Sequence, residues 1–185
     1  MKPLSTERLQ LVPPSMEFAE DVLEYASSTE FCRYIDAPPA QSMEDATNFL
    51  HGLIDANNNR QRKYWLILAD KKCIGSLGFN YVFNPKHRTQ DFGYGLSPDY
   101  WGQGIFSEAA TAVLRYGFDV LGLERIQALT RADNTRSVQA LNRLGFINEA
   151  TLKSFYQLET GRADCVLSAL IRSALPDGEN PASHR

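Results

Sequence analysis

Nothing in this chain approaches the roughly 18 consecutive apolar residues that cross a bilayer. The opening MKPLSTERLQLVPP has no apolar run of signal length either, so neither membrane insertion nor export is expected. Cysteine is scarce. Cys32, Cys73 and Cys165 are odd in number, far apart and set among apolar residues, which fits reduced core thiols in a cytoplasmic protein and not a disulfide framework. The histidines are few and scattered: His51 near the apolar side of a helix, His87 in a turn and His184 near the end. With no HExxH and no Cys/His ligand spacing, no metal site is expected. The GxSxG elbow of serine hydrolases and the Gly-Lys-Ser/Thr of a phosphate-binding loop are missing as well. Neither charge sign dominates, the net charge being -3. The basic clusters RQRK (60–63) and KHR (86–88) are short and separated, so direct nucleic-acid binding is not expected. There is no internal repeat and no low-complexity tract.

What the chain does have is core-forming material: 185 residues at 43% hydrophobic and 22% charged describe one soluble domain. We place that domain over 1–175, with 176–185 (PDGENPASHR) as a frayed tail lacking an apolar pattern. A short strand RLQLV (8–12) precedes a helix from about Ser15 that carries Phe18, Val22 and Leu23 at helical spacing. SMEDATNFLHGLIDANN predicts a second helix capped by Ser42, with Ala46, Phe49, Leu50, Leu53 and Ile54 on one face. The period then changes to that of strands. YWLILA (64–69), CIGSLGFNYVF (73–83) and TQDFGYGLS (89–97), separated by turns at DKK and NPKH, read as a meander. A helix from about Ser107 to Val120 and a strand RIQALT (125–130) follow, so 89–97 and 125–130 are expected to be parallel neighbours. NTRSVQALNRLGF predicts a last helix with an Asn cap and a Gly145 stop, before closing strands near 146–152 and 164–171.

The unusual feature is DYWGQGIFSEA (99–109), where two glycines one residue apart join an apolar strand to a helix. Glycines there let bare backbone approach a ligand, and the opening N–H groups of a helix favour an anion, most often phosphate. The second helix start, DNTRS (133–137), falls at the end of the next parallel strand. Two such starts side by side make a cleft at the carboxyl ends of two strands.

Taken jointly, TERLQLVPP, IGSLGF, FGYGLSPDYWGQGIFSEA, NTRSVQALNRLGF and ADCVLSALIR resemble the Gcn5-related N-acetyltransferase (GNAT) superfamily, and within it the RimJ/RimL branch that acetylates ribosomal-protein N-termini. The likeness spans nearly the whole chain. It implies an α/β (α+β) fold with a mixed, mostly antiparallel sheet of about seven strands, whose parallel pair splays at an acetyl-CoA cleft with helices on both faces. It further implies that the pyrophosphate of coenzyme A lies on the stretch Trp101, Gly102, Gln103, Gly104, Ile105, Phe106 and Ser107, with the pantetheine arm pairing near Leu96. Two positions depart from the family pattern. Trp101 stands where Gln or Arg is usual, and is either packing or a wall against the cofactor; Phe106 stands where Gly or Ala is usual, and can equally be a core residue. By the same resemblance Asn134 would bond the pantetheine amides, Arg136 and Arg143 the 3'-phosphate, and Ser137 would protonate the leaving thiolate. Asp91 matches the position of a catalytic glutamate in histone-modifying members, and Glu149 is a second candidate base. Each of these has an ordinary alternative: a helix cap for Asn134, its N3 partner for Ser137, solvated surface for the arginines and carboxylates. Backbone N–H groups near Tyr94 to Leu96 would hold the oxyanion, with Tyr94 and Tyr34 at the acceptor side.

The expected partners are therefore acetyl-CoA and an amine acceptor, a protein N-terminus beginning Ser or Ala. The alternatives are a small amine (amino acid, polyamine, amine antibiotic) or a noncatalytic acyl-CoA sensor. Whether two chains pair as a homodimer is left open by the sequence.

Overall fold

The computed structural model describes residues 1–35, 37–59, 62–80 and 85–174. Its strands are β1 (Leu4–Ser5), β2 (Leu9–Val12), β3 (Lys63–Ala69), β4 (Lys72–Asn80), β5 (Thr89–Leu96), β6 (Arg125–Arg131), β7 (Ile147–Leu158) and β8 (Gly161–Ile171). Its helices are α1 (Ala19–Ala26), α2 (Thr29–Cys32), α3 (Met43–Asn58), α4 (Ile105–Asp119) and α5 (Thr135–Arg143). Among the described residues the strands form one sheet in the order β1-β2-β3-β4-β5-β6-β8-β7. Every pairing is antiparallel except β5 with β6.

Local chemistry sets the boundaries. Ser42 and Asp45 form a reciprocal capping box at the start of α3, satisfying two N–H groups that the helix cannot bond itself. Asp70 and Lys71 both have positive φ, 48° and 70°, which is the backbone a two-residue type I′ hairpin requires between β3 and β4. Asn134 caps α5 by accepting from the Ser137 N–H at 3.2 Å. After Leu144, Gly145 turns the chain out of α5 at φ 91°.

The unbroken apolar run of β3 is explained by burial on both faces. Trp65 and Ile67 join Phe79, Val113, Leu114 and Phe118 in the core under α4. Tyr64, Leu66 and Leu68 face α1 and α3 through Val22, Ala46, Leu50 and Leu53. Each large side chain removed from water there contributes about 1.5–3 kcal/mol.

The structure departs from the sequence reading in several places. An eighth strand, β1, pairs Leu4 with Leu11, and Trp65 donates its indole N–H to the Lys2 carbonyl, so the first residues are tied down. The first helix opens with a 3-10 turn at Met16–Phe18, and the short α2, capped by Ser28, was not foreseen. On α3 the buried row is Ala46, Leu50 and Leu53, which leaves Phe49 at its flank 42% exposed and His51 exposed. β7 runs on to Leu158 through two register shifts. The expected end of β4, at 81–83, and the expected tail, 176–185, lie outside the described residues. Among the described residues no helix is long and apolar enough to cross a membrane.

Gly78 tests the closeness of β3 and β4, because a Cβ there would run into the Lys63 carbonyl oxygen. Gly78→Ala is expected to lower stability by at least the cost of overpacking, about 1–3 kcal/mol. Urea denaturation should show a lower midpoint with an unchanged slope.

Candidate active site

The parallel pair of β5 and β6 shares only three rungs: Thr89 with Arg125, Gln90 with Ile126, and Asp91 with Gln127. Beyond them β5 stays with β4 and β6 stays with β8, so Phe92–Leu96 and Ala128–Arg131 diverge. The gap is a cleft of about 780 Å³ walled by these two stretches. On one side of the sheet it is lined by Gly102, Gly104, Phe106 and Ser107 at the start of α4, and by Asn134, Arg136, Ser137, Ala140 and Arg143 of α5. At its other end stand Glu30, Phe31, Tyr34 and Ile35.

Gly102 and Gly104 hold φ of 74° and 77°, the left-handed conformation that glycine adopts without strain. Gly104 caps α4 and brings no side-chain acceptor. The opening N–H groups of a 15-residue helix are thus left to a ligand, with the positive end of the helix dipole behind them. The glycine junction thus has the backbone geometry that can receive an anion such as a pyrophosphate.

The loop's other side chains are placed differently from one another. The Trp101 indole N–H donates to the Leu96 carbonyl at 2.8 Å, and the Arg136 guanidinium stacks on the Trp101 ring at 3.7 Å. The Leu96 carbonyl, expected to meet pantetheine, is therefore engaged within the chain. Phe106 packs on Tyr94, with ring centroids 4.4 Å apart, at the margin of the core. Ile105 is buried in that core, and Gln103 turns its amide to the Asp99 carbonyl; neither side chain lines the cleft.

At the cleft's centre the Tyr94 hydroxyl lies 2.5 Å from Ser137 Oγ, linking β5 to α5 across the gap. Burial pushes the Tyr94 phenol up to about 12, against hydrogen bonds to Ser137 and Thr130 that pull it down. Its side chain thus sits on the α4 side of the sheet and not among the acceptor-side residues. Tyr34 does reach that side. Its ring is approached by Arg33 at 5.3 Å and Arg131 at 4.9 Å, and its hydroxyl donates to the Asp133 carbonyl at 3.4 Å.

Neither proposed carboxylate base lines the cleft. Asp91 sits on the last shared rung, on the face away from α4, where it accepts from Gln127 Nε2 at 2.7 Å. Gln127 in turn accepts from Arg125, whose guanidinium grips both oxygens of Glu149 at 2.8 and 2.6 Å. That bidentate contact holds the Glu149 carboxyl below its ordinary range, which makes it a weak proton acceptor.

One residue of the site was missed by sequence reasoning. Arg8 reaches the glycine loop, donating to the Gln103 carbonyl at 3.1 Å and to Glu108 Oε2 at 2.7 Å, while its backbone N–H meets Glu108 Oε1 at 2.9 Å. Thr6 adds a hydroxyl to the same carboxylate at 2.5 Å. Glu108 stands in the first turn of α4, where its charge stabilises the helix but opposes a bound anion; Arg8 offsets it. The only signal in the sequence was an arginine at the head of the first strand, which says nothing of a partner 100 residues away.

Burial raises the Glu108 carboxyl, yet the Thr6 hydroxyl, the Arg8 backbone N–H and the Arg8 guanidinium outweigh it and hold the group below its usual range. A carboxylate with a depressed folded pKa adds stability above its unfolded value, about 4.3, and loses it as pH falls through the folded one. The stability gap between wild type and Arg8→Met should therefore be constant above about pH 5.5 and close in stronger acid. With Arg8 about half exposed, that gap should stay under about 1 kcal/mol. Coenzyme A affinity, measured by calorimetry at neutral pH, should fall about three- to tenfold, since an uncompensated Glu108 then faces the phosphates.

Comparison with known proteins agrees with this geometry. Residues 8–147 match the acetyltransferase (GNAT) domain. The chain is 30% identical over 174 residues to the uncharacterized N-acetyltransferase p20 of Bacillus licheniformis, covering 93% of this chain and 97% of that one. It is 32% identical to the ribosomal-protein-serine acetyltransferase of Escherichia coli (71% and 73% covered) and 33% identical to that organism's spermidine N(1)-acetyltransferase (80% and 77%). The crystal structure of a GNAT-family acetyltransferase from Bacillus anthracis superposes with a TM-score of 0.82 at 26% identity, covering 92% of this chain and 98% of that one. A splayed parallel pair, a glycine-led helix start facing the gap and this domain match together make the chain a member of the GNAT acetyltransferase family.

Proposed function

We propose that this enzyme moves the acetyl group of acetyl-CoA onto the α-amine of a protein or peptide N-terminus, serine or alanine first. The observation that carries this reading is the charge of the cleft: among the described residues that line it, Glu30 is the one carboxylate, against Arg131, Arg136 and Arg143. An amine attacks a thioester only when deprotonated. An α-amine has a pKa of about 7.7–8.0 and a lysine or polyamine nitrogen one near about 10.4, a difference of roughly 3.5 kcal/mol in freeing the lone pair. An acceptor that needs little help suits a cleft with so little carboxylate. A polyamine, with several positive charges, finds among the described lining residues only Glu30 to attract it, while Arg131 is paired with Asp133 at 2.7 Å.

Two further features support a peptide. Gly93 and Gly95 of β5 and the end of β6 present backbone not paired with each other, which an extended chain can bond. Similarity to the ribosomal-protein-serine enzyme points the same way, while similarity to the spermidine enzyme favours the small-amine reading that the scarcity of carboxylate opposes. In the proposed site the N–H groups opening α4 hold the pyrophosphate, Arg136 and Arg143 meet the 3'-phosphate, and Asn134 bonds the pantetheine. Ser137 donates to the departing sulfur. With Asp91 outside the cleft, water takes the proton that the nitrogen loses as the new amide forms.

Thiol release from acetyl-CoA, measured against short peptides beginning Ser, Ala and Met and against amino acids, polyamines and amine antibiotics, tests the proposal. Ser and Ala peptides should turn over at least about tenfold better than any small amine. Their kcat/KM should climb between about pH 6.5 and 8 as the α-amine loses its proton and level off above. Turnover confined to small amines would overturn the reading.

A further inference from the structure

From the contact that crosses the cleft we infer that Tyr94 is a positioning residue for the chemical step, orienting the Ser137 hydroxyl toward the departing sulfur. This rests on the reading of Ser137 given above and extends it to a residue that makes no contact with the acceptor in that reading.

The hydrogen bond between Tyr94 and Ser137 has a preferred direction. The two oxygens lie 2.5 Å apart, with Thr130 of β6 beside them on the cleft wall. Thr130 is buried, while Tyr94 and Ser137 are half-buried and line the cleft with it. When the phenol donates to Ser137 Oγ, the Ser137 proton is left free to point into the gap. A phenol is the better donor of the Tyr94–Ser137 pair, and burial keeps it neutral throughout the working range of pH, so this direction is not lost by ionisation. The backbone holds both ends. The Ser137 N–H is bonded to the Asn134 cap at 3.2 Å, and the Tyr94 ring is fixed between Phe92, at 5.3 Å, and Phe106, at 4.4 Å.

In the reaction the amine nitrogen forms its bond to the acyl carbon, and the carbon–sulfur bond breaks with its electron pair going to sulfur. The nitrogen's proton leaves to water, and the sulfur regains one from solvent, so the sum is amide plus thiol. Ser137 contributes a hydrogen bond to the sulfur while its charge develops. Tyr94 contributes the fixed direction of that bond, and a freely rotating serine hydroxyl would spend part of its time turned toward other acceptors.

The test is a double-mutant cycle of Tyr94→Phe and Ser137→Ala, with kcat and the KM for acetyl-CoA measured by thiol release on the best acceptor. Tyr94→Phe keeps the ring and its stacking and removes one oxygen. We expect Ser137→Ala to lower kcat about tenfold and Tyr94→Phe about three- to fivefold, both with KM for acetyl-CoA changed less than about twofold, and the double variant to be no slower than Ser137→Ala alone. A loss from Tyr94→Phe that is equal in both backgrounds would mean that the phenol acts independently of Ser137 and overturns the inference. Full kcat in Tyr94→Phe beside a slowed Ser137→Ala also overturns it and leaves the role of Ser137 standing. Full kcat in Ser137→Ala overturns both. Thermal unfolding of each variant checks folding.

Discussion

Everything at this site depends on two parallel strands that stop pairing after three rungs. A sheet that continued to pair would seal the gap with its own hydrogen bonds and leave no room between the helix starts. Here each strand keeps its outer neighbour, so the sheet holds together while its middle opens. The space beneath the opening is filled by rings: Phe92 lies between Phe79, Tyr94 and Phe146, and Tyr94 carries Phe106. This aromatic layer keeps the two strands apart and makes the divergence part of the core.

The divergence divides the chemistry between the two sides of the sheet. The start of α4 offers N–H groups and a dipole to an anion, and α5 adds Arg136 and Arg143. A carboxylate in the first turn of α4 is the one discordant charge, and β2 and the residues before it bring Arg8 and Thr6 to answer it. On the other face, Asp91, Gln127, Arg125 and Glu149 form a chain of polar contacts running from the last shared rung to the edge strand. That chain ties the carboxylates to the sheet. The acceptor end of the cleft is left mainly to aromatic side chains, backbone and arginines.

Much of this was legible in the sequence because local rules govern it. The glycine junction, the Asn134 cap, the turn at DKK and the strand–helix–strand crossover each follow from a few adjacent residues, and from them came the parallel pair and the two helix starts. What the sequence withheld was set by packing over long separations. The direction of the Tyr94 side chain depends on a partner 43 residues on, and that of Arg8 on one 100 residues on. Asp91 could be placed on its strand but not on a face, since one residue of register decides the face. Phe49 looked like core because it borders a buried row on α3, and only the packing of that row against α1 and β3 decides that it stays outside. The eighth strand was too short, at two residues, to show a period at all.

The indole of Trp101, bonded to the Leu96 carbonyl and covered by Arg136, has a consequence for how the ligand-free protein behaves in a crowded solution. An opened sheet exposes bare strand edge, and bare edge recruits any passing extended chain, including another copy of the same protein. By satisfying the last carbonyl of β5 from a side chain five residues along, which a guanidinium covers in turn, the molecule leaves one acceptor fewer on its own open edge. An extended chain arriving at that end of β5 meets an indole and an arginine where it would otherwise find bare backbone.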